Sequence, residues 1–174
     1  DVDLQASLDQ TNLTLQGHLG EPARLEDIEL VASIQGPSFK RLLQAFGIAY
    51  EHSGDIDMQL HVMDRERGFA WASKGHMGAL MINTQGTLER PLTWDELQAG
   101  VDIHGKDLSK LGQIMGVQSL PEQAYQLTGQ VSRDADGLVL RDIKLESGDA
   151  RIEASGEFPL FPNLDKAAAR LHVN

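Results

Sequence analysis

Six histidines, at positions 18, 52, 61, 76, 104 and 172, are the residues best able to ligate a metal or relay a proton. A metal site needs convergent donors, and no HxH or HExxH pair brings two of these rings together. His18, His61, His104 and His172 fall at polar positions of alternating stretches and read as solvated strand residues. Asp134-Ala135-Asp136-Gly137 resembles the middle of a calcium loop, but that loop would need an acid at Ser132 and a Glu at Ile143. A hairpin turn explains Asp136-Gly137 better, the glycine supplying a positive φ. The acid pairs Glu26-Asp27 and Asp95-Glu96 precede apolar runs, as turn or capping residues do. No GxSxG, P-loop or dinucleotide fingerprint is present, and the absence of cysteine removes disulfides, thiolate zinc sites and thiol catalysis. The expectation is a protein without catalytic residues, metal or cofactor.

Charge narrows the partners. The 174 residues carry 26 acids against 15 bases, a net charge of -11. Displacing counterions from a phosphate backbone takes clustered Lys and Arg, so no nucleic-acid partner is expected. No basic amphipathic helix is present to hold the chain flat on an anionic bilayer. With 41% hydrophobic but only 5% aromatic residues, the core must be aliphatic. No apolar run is long enough to span a bilayer. The chain begins at Asp1 and ends inside an alternating run, LHVN, which suggests a piece of a longer protein.

The elements follow from periodicity. Leu4, Ala6 and Leu8, then Leu13, Leu15, Gly17 and Leu19, then Ile28, Leu30, Ala32 and Ile34 alternate with polar residues. Period two places each set on one face of a strand, and short joins at 9–12 and 20–24 predict antiparallel hairpins. At Gly36-Pro37-Ser38 the period becomes helical, with Phe39, Leu42, Leu43 and Phe46 on one stripe and Gly47 as the stop. Alternation resumes with Ile56, Met58, Leu60 and Val62, then Phe69 and Trp71, then 79–88, then Val101 and Ile103. A second helix carries Leu108, Leu111, Ile114 and Met115, with Asp107 as N-cap and Gly116 as stop. Strands follow at 124–133, 138–146, 150–158 and 167–173. Trp94 reads as an anchor for a connection.

An internal repeat orders these elements. Gly36 and Gly105, Gly47 and Gly116, Gly68 and Gly137, and Gly17 and Gly86 each lie 69 residues apart; Gly78 and Gly148, and Gly86 and Gly156, lie 70 apart. Phe39, Leu42 and Phe46 land on Leu108, Leu111 and Met115. Residues 1–35 then end one repeat, 36–104 form a second and 105–174 a third, each full unit holding one helix and about five strands. The expected fold is mainly β: a repeated, strongly curved antiparallel sheet forming a taco-like groove, with one short amphipathic helix per ~70-residue repeat. One apolar face of so many strands must be covered, and two helices of ~15 Å are too short to cover it all.

The string GKDLSKLGQIMGV, followed by YQLTGQVSRDADGLVLRDIKLESGDARIEASGEF, resembles the repeat of the AsmA family of bacterial envelope proteins. There "DL..L....G" precedes "G.....D..GL.L.....L..G.....G". GPSFKRLLQAFGI is a weaker copy; its unit lacks the counterpart of Pro121 and has DRERG in place of DADG. The resemblance implies a periplasmic part of a protein anchored in the Gram-negative inner membrane by segments outside this sequence. It is similar to bridge-like, chorein-type proteins that shield phospholipid acyl chains in a β-groove between membranes, and some members are linked to outer-membrane protein assembly.

The leading expectation is therefore a non-enzymatic lipid-conducting module. Its groove is lined by Leu4, Leu13, Leu15, Ile28, Leu30, Ile34, Ile56, Met58, Leu60, Trp71, Val131, Leu138, Leu140 and Ile152, with phospholipid as partner. Phe39, Leu42, Leu43, Phe46, Leu108, Leu111, Ile114 and Met115 would cover that groove. The alternatives are a scaffold binding outer-membrane proteins by β-augmentation and a structural spacer whose face is filled by its own side chains.

Overall fold

The computed structural model describes residues 1–8, 10–21, 26–38, 40, 54–90, 95–115, 119–133, 137–159 and 168–173. Eleven strands form one sheet: β1 (Val2–Leu8), β2 (Thr11–Glu21), β3 (Glu26–Gly36), β4 (Ile56–Asp64), β5 (Phe69–Met77), β6 (Leu80–Arg90), β7 (Asp95–Gly105), β8 (Tyr125–Arg133), β9 (Gly137–Ser147), β10 (Ala150–Pro159) and β11 (Ala168–Val173). Their order in space is their order in sequence, β1 to β11, and every neighbouring pair is antiparallel. The sheet is a meander with two free edges and does not close. The single helix among the described residues is α1 (Leu108–Met115), between β7 and β8. The expected helix carrying Phe39, Leu42, Leu43 and Phe46 lies outside the described residues, as do Trp94 and the loop 134–136.

The strands fall where period-two alternation puts them, and most run longer than the apolar residues alone mark. β2 continues past Gly20, where a turn is expected, to pair Glu21 with Glu26. Among the described residues of 36–104 the strands are β4 to β7. The mainly β, antiparallel character is as expected.

Register turns alternation into a surface. One row passes through Ala6, Leu13, Ile34, Met58, Gly75, Ile82, Ile103, Leu127, Leu145, Ile152 and Val173, one residue from every strand. It contains no polar side chain. The neighbouring row on the opposite face runs Gln5, Thr14, Ser33, Gln59, Lys74, Asn83, Asp102 and Thr128, all polar. Because side chains point alternately to the two faces, the sheet is apolar on one side and wet on the other.

One irregularity keeps that segregation intact. The apolar residues of β9 are spaced Leu138, Leu140, Ile143, Leu145, a slip of one in the alternation. A regular strand would send Ile143 and Leu145 to the wet face. Instead Thr128 pairs with Lys144 and Gln130 with Arg141, so β9 holds one extra residue relative to β8. β10 sees the same extra residue, between Ala154 and Gly156. Asp142 absorbs it with φ +51, the left-handed conformation typical of a bulge.

Candidate functional site

The apolar face divides at β5 and β6. There Ser73 and Thr84 occupy the row above Gly75 and bond to each other, Oγ to Oγ1 at 3.0 Å, while Gly86 leaves the floor bare one row further along. Trp71 lies over that bare patch. A Cβ on Gly86 would stand 3.0 Å from Trp71 Nε1 and 2.2 Å from the carbonyl oxygen of Gln98. The glycine is therefore a seat that admits both the indole and the neighbouring strand.

On the β6 to β9 side, α1 covers the lower rows. Asp107 caps it as expected: its Oδ1 accepts the Ser109 amide at 3.0 Å and the Ser109 hydroxyl at 2.5 Å. The Leu108 amide donates to the Gln123 carbonyl at 2.8 Å, tying the start of the helix to the chain entering β8. Leu108 and Leu111 are buried on Leu80 and Tyr125, with Ile82, Ile103, Leu120, Leu127 and Leu145 packed around them. Ile114 and Met115 belong to the helix, but their side chains lie outside the described residues. The Tyr125 hydroxyl in this cluster is buried and has no hydrogen-bond partner among the described residues. Burial, with the charge of Asp107 adding, raises its pKa above the ordinary tyrosine value.

No helix covers the β1 to β5 side among the described residues. A hollow of about 600 Å³ opens there, lined by Leu4, Ala6, Leu13, Leu15, Ala32, Ile34, Met58, Leu60 and Trp71, with Ser73 at its boundary. Leu4 is 59% exposed and Leu60 36%. Seven of the expected lining residues thus meet in one place: Leu4, Leu13, Leu15, Ile34, Met58, Leu60 and Trp71. Leu30, Val131, Leu138, Leu140 and Ile152 share the face but lie outside this hollow, Leu30 paired with Val62, Val131 with Leu140, Leu138 with Arg133 and Ile152 with Leu145. Ile28 and Ile56 are buried near the ends of their strands. Val62, Ile82, Val101, Ile103 and Leu127 extend the same face and were legible by the same alternation, whereas Ile143 and Leu145 reach it only through the bulge in β9.

The described histidines do not converge. His18 contacts Asp1 at 3.1 Å and Asp27 at 3.0 Å, His61 contacts Glu29 at 3.2 Å, and His76 contacts Asp55 at 3.0 Å; His104 lies 3.6 Å from Asp102. Each is a separate partner-to-acid contact on partly exposed surface, where ion pairs are weak. The hydrogen bond from His76, with help from the Asp55 backbone amide, holds the Asp55 carboxyl below its ordinary value. Among the described residues no group of three or more His, Asp or Glu could hold a metal, and no helix is long and apolar enough to cross a membrane.

A second hollow, of about 870 Å³, is lined mainly by polar-face residues of β4 to β9, including Gln98, Gln130, Glu89 and Glu96, with Arg65 from the turn after β4 and Arg133 and Arg141. The two hollows differ in chemistry: the first offers mostly methyl and methylene groups, the second amides and charges of both signs. No family model, curated protein or solved structure matches the chain.

Proposed function

We propose that the chain is a lipid-carrying module whose apolar sheet face shelters the acyl chains of phospholipids. The observation that carries the reading is the row from Ala6 to Val173, apolar in all eleven strands, of which α1 covers only the middle. Acyl chains ask for a continuous aliphatic surface and no directional donors. Water on such a surface costs about 25 cal/mol per Å² of apolar area, so an occupant that removes it is favoured. A folded domain that left this much contiguous apolar surface bare would be prone to aggregate, which favours a cover of some kind.

In this reading the module is built from AsmA-like repeats curved into a groove, and it stands in the periplasm of an envelope protein anchored through segments outside this sequence. Strand bounds support the repeat. β2 and β6 start at 11 and 80, β3 and β7 at 26 and 95, and β4 and β8 at 56 and 125, so each pair is offset by 69 and has equal lengths. Asp27 and Glu96, also 69 apart, share an unusual positive φ, +57 and +59; Gly78 and Gly148 share φ +57.

Native mass spectrometry of the purified chain should find bound phospholipid. Leu13→Asp and Leu60→Asp, which put carboxylates into the hollow, should release it, whereas Asn83→Asp in the polar row should not. A wild-type chain that neither retains nor takes up phospholipid would refute the reading. A scaffold for outer-membrane proteins is the second reading. It is favoured by β1, an edge strand with Leu4 and Leu8 exposed, where an incoming strand could add by β-augmentation. It predicts peptide, not lipid, crosslinked at β1.

A further inference from the structure

We infer that Ser73, Thr84 and Trp71 form an ester seat at the β5 end of the apolar hollow and donate hydrogen bonds to the acyl ester carbonyls of a diacyl lipid, an assignment that rests on the lipid-carrying reading. Ser73 and Trp71 both line that hollow and are half-buried, so an occupant meets them directly. The Ser73 and Thr84 hydroxyls bond to each other at 3.0 Å. Each hydroxyl carries one donor, so the pair spends one O–H and keeps the second. Trp71 adds an indole N–H that has no acceptor among the described residues. These donors are neutral, and among the described residues no charged side chain lines the hollow, which suits an uncharged carbonyl better than a carboxylate.

The corresponding positions elsewhere in the sheet show that the polar groups are particular to this place. Ser73 and Thr84 face each other across β5 and β6. Sixty-nine residues earlier the facing pair is Leu4 and Leu15, and seventy residues later it is Ile143 and Ala154. Trp71 faces Gly86, while Val2 faces Gly17 and Leu140 faces Gly156. Aliphatic pairs thus satisfy the same register on either side. Two hydroxyls and an indole stand where burial alone favours methyl groups, and a pocket that is apolar except for a few placed donors is the usual form of a site that orients its ligand.

Distance fits a diacyl lipid. Trp71 and Ser73 are two residues apart on one face of β5, about 7 Å at ~3.4 Å per residue, which leaves room for one carbonyl at each. From β5 the hollow crosses β4, β3 and β2 to Leu4 and Ala6 on β1, four steps of ~4.8 Å or about 19 Å. One leaflet of a bilayer occupies about 15 Å, half of the ~30 Å hydrocarbon core. Tails that start at the seat lie across Met58, Ile34 and Leu13, end near β1, and never reach the rows that α1 covers.

The test is a titration of the 174-residue chain with two monomeric probes that carry the same fluorophore-tagged chains, a diacylglycerol and its dialkyl ether, which lacks both carbonyls. The wild-type chain should bind the ester about tenfold more tightly, the worth of one or two net hydrogen bonds. The infrared carbonyl band of the bound ester should move to lower frequency. Ser73→Ala combined with Thr84→Val should lose most of the preference, both changes being needed because either hydroxyl alone still donates, and Trp71→Phe should lose part of it. Equal binding of both probes by the wild-type chain overturns the ester seat and leaves the lipid reading standing; this arm needs no variant to fold. Binding of neither probe overturns both. Full preference in the combined variant overturns the assignment to the hydroxyls. Tighter binding of a single-chain fatty acid with the same tag than of the diester would give the donors to a carboxylate and overturn the ester seat.

Discussion

Leu111→Ala tests how α1 is held. The helix has eight residues, ~12 Å at 1.5 Å each, too short to persist in water without tertiary support. Among its described side chains, Leu108 and Leu111 supply that support, Leu111 being 6% exposed against Leu80 and Tyr125. Truncation removes three methyl or methylene groups, about 2.4 kcal/mol at ~0.8 kcal/mol each, and the unfilled space raises the cost to about 3 kcal/mol. Leu60→Ala removes the same atoms from a position 36% exposed in an open hollow, and should cost only about 1 kcal/mol. Urea unfolding followed by circular dichroism measures both, and hydrogen exchange shows where the loss falls. In Leu111→Ala, amides of α1 should exchange much faster while those of β2 to β4, which the helix does not touch, change little. Equal costs for the two variants, or uniform loss of protection across the sheet, would show that the helix is not a separately docked cover.

Two further outcomes come from single groups. Tyr125→Phe deletes a buried hydroxyl with no partner among the described residues, so at neutral pH it should leave stability unchanged or raise it by about 1 kcal/mol. The Tyr125 pKa is raised in the fold, so the neutral phenol's contribution is complete below pH 10.0 and falls as pH climbs through the folded value. The variant should lack that part of the alkaline loss, and an unchanged alkaline profile in thermal denaturation would count against the burial argument. For Asp55 the sign is opposite: its folded pKa lies below 3.8, so its contribution is present above that pH and disappears on acidification through the folded value. In His76→Ala the NMR titration midpoint of Asp55 should rise toward 3.8, and an unmoved midpoint would assign the shift elsewhere.

Much of the sheet was readable because strand alternation is a direct record of burial. Leu13, Leu15 and Leu19, or Ile56, Met58, Leu60 and Val62, have no arrangement that buries them together except one strand face. Asp107 and the Leu108 and Leu111 stripe announced α1 by the same logic. Three things were not read from the sequence. The bulge at Asp142 was present in it as the three-residue step from Leu140 to Ile143, but a broken period signals a bulge only once the flanking strands are known to pair. The acid partners of His18, His61 and His76 come from pairings across 9 to 32 positions of sequence, which no local pattern encodes. Which lining residues form a hollow depends on what covers the others, so Leu4 and Ile152 look alike in sequence although only Leu4 lines the open side.

The division of the face at β5 and β6 follows from small and hydroxylated residues. Gly75, Gly86, Ser73 and Thr84 interrupt the wall of aliphatic side chains, and only Trp71 bridges the gap. On one side the covering is supplied by the chain itself, through α1 on Leu80 and Tyr125. On the other, Leu4, Leu13, Leu60 and their neighbours present the same chemistry without a helix above them among the described residues. A sheet whose only task was to fill space with its own side chains would have little reason to keep the row from Ala6 to Met58 as apolar as the row beneath α1. Solvent exposure normally relaxes that requirement, as the polar row on the reverse face shows. Aliphatic residues with nothing above them among the described residues are the physical argument for a cover of some kind, which the proposed lipid would supply.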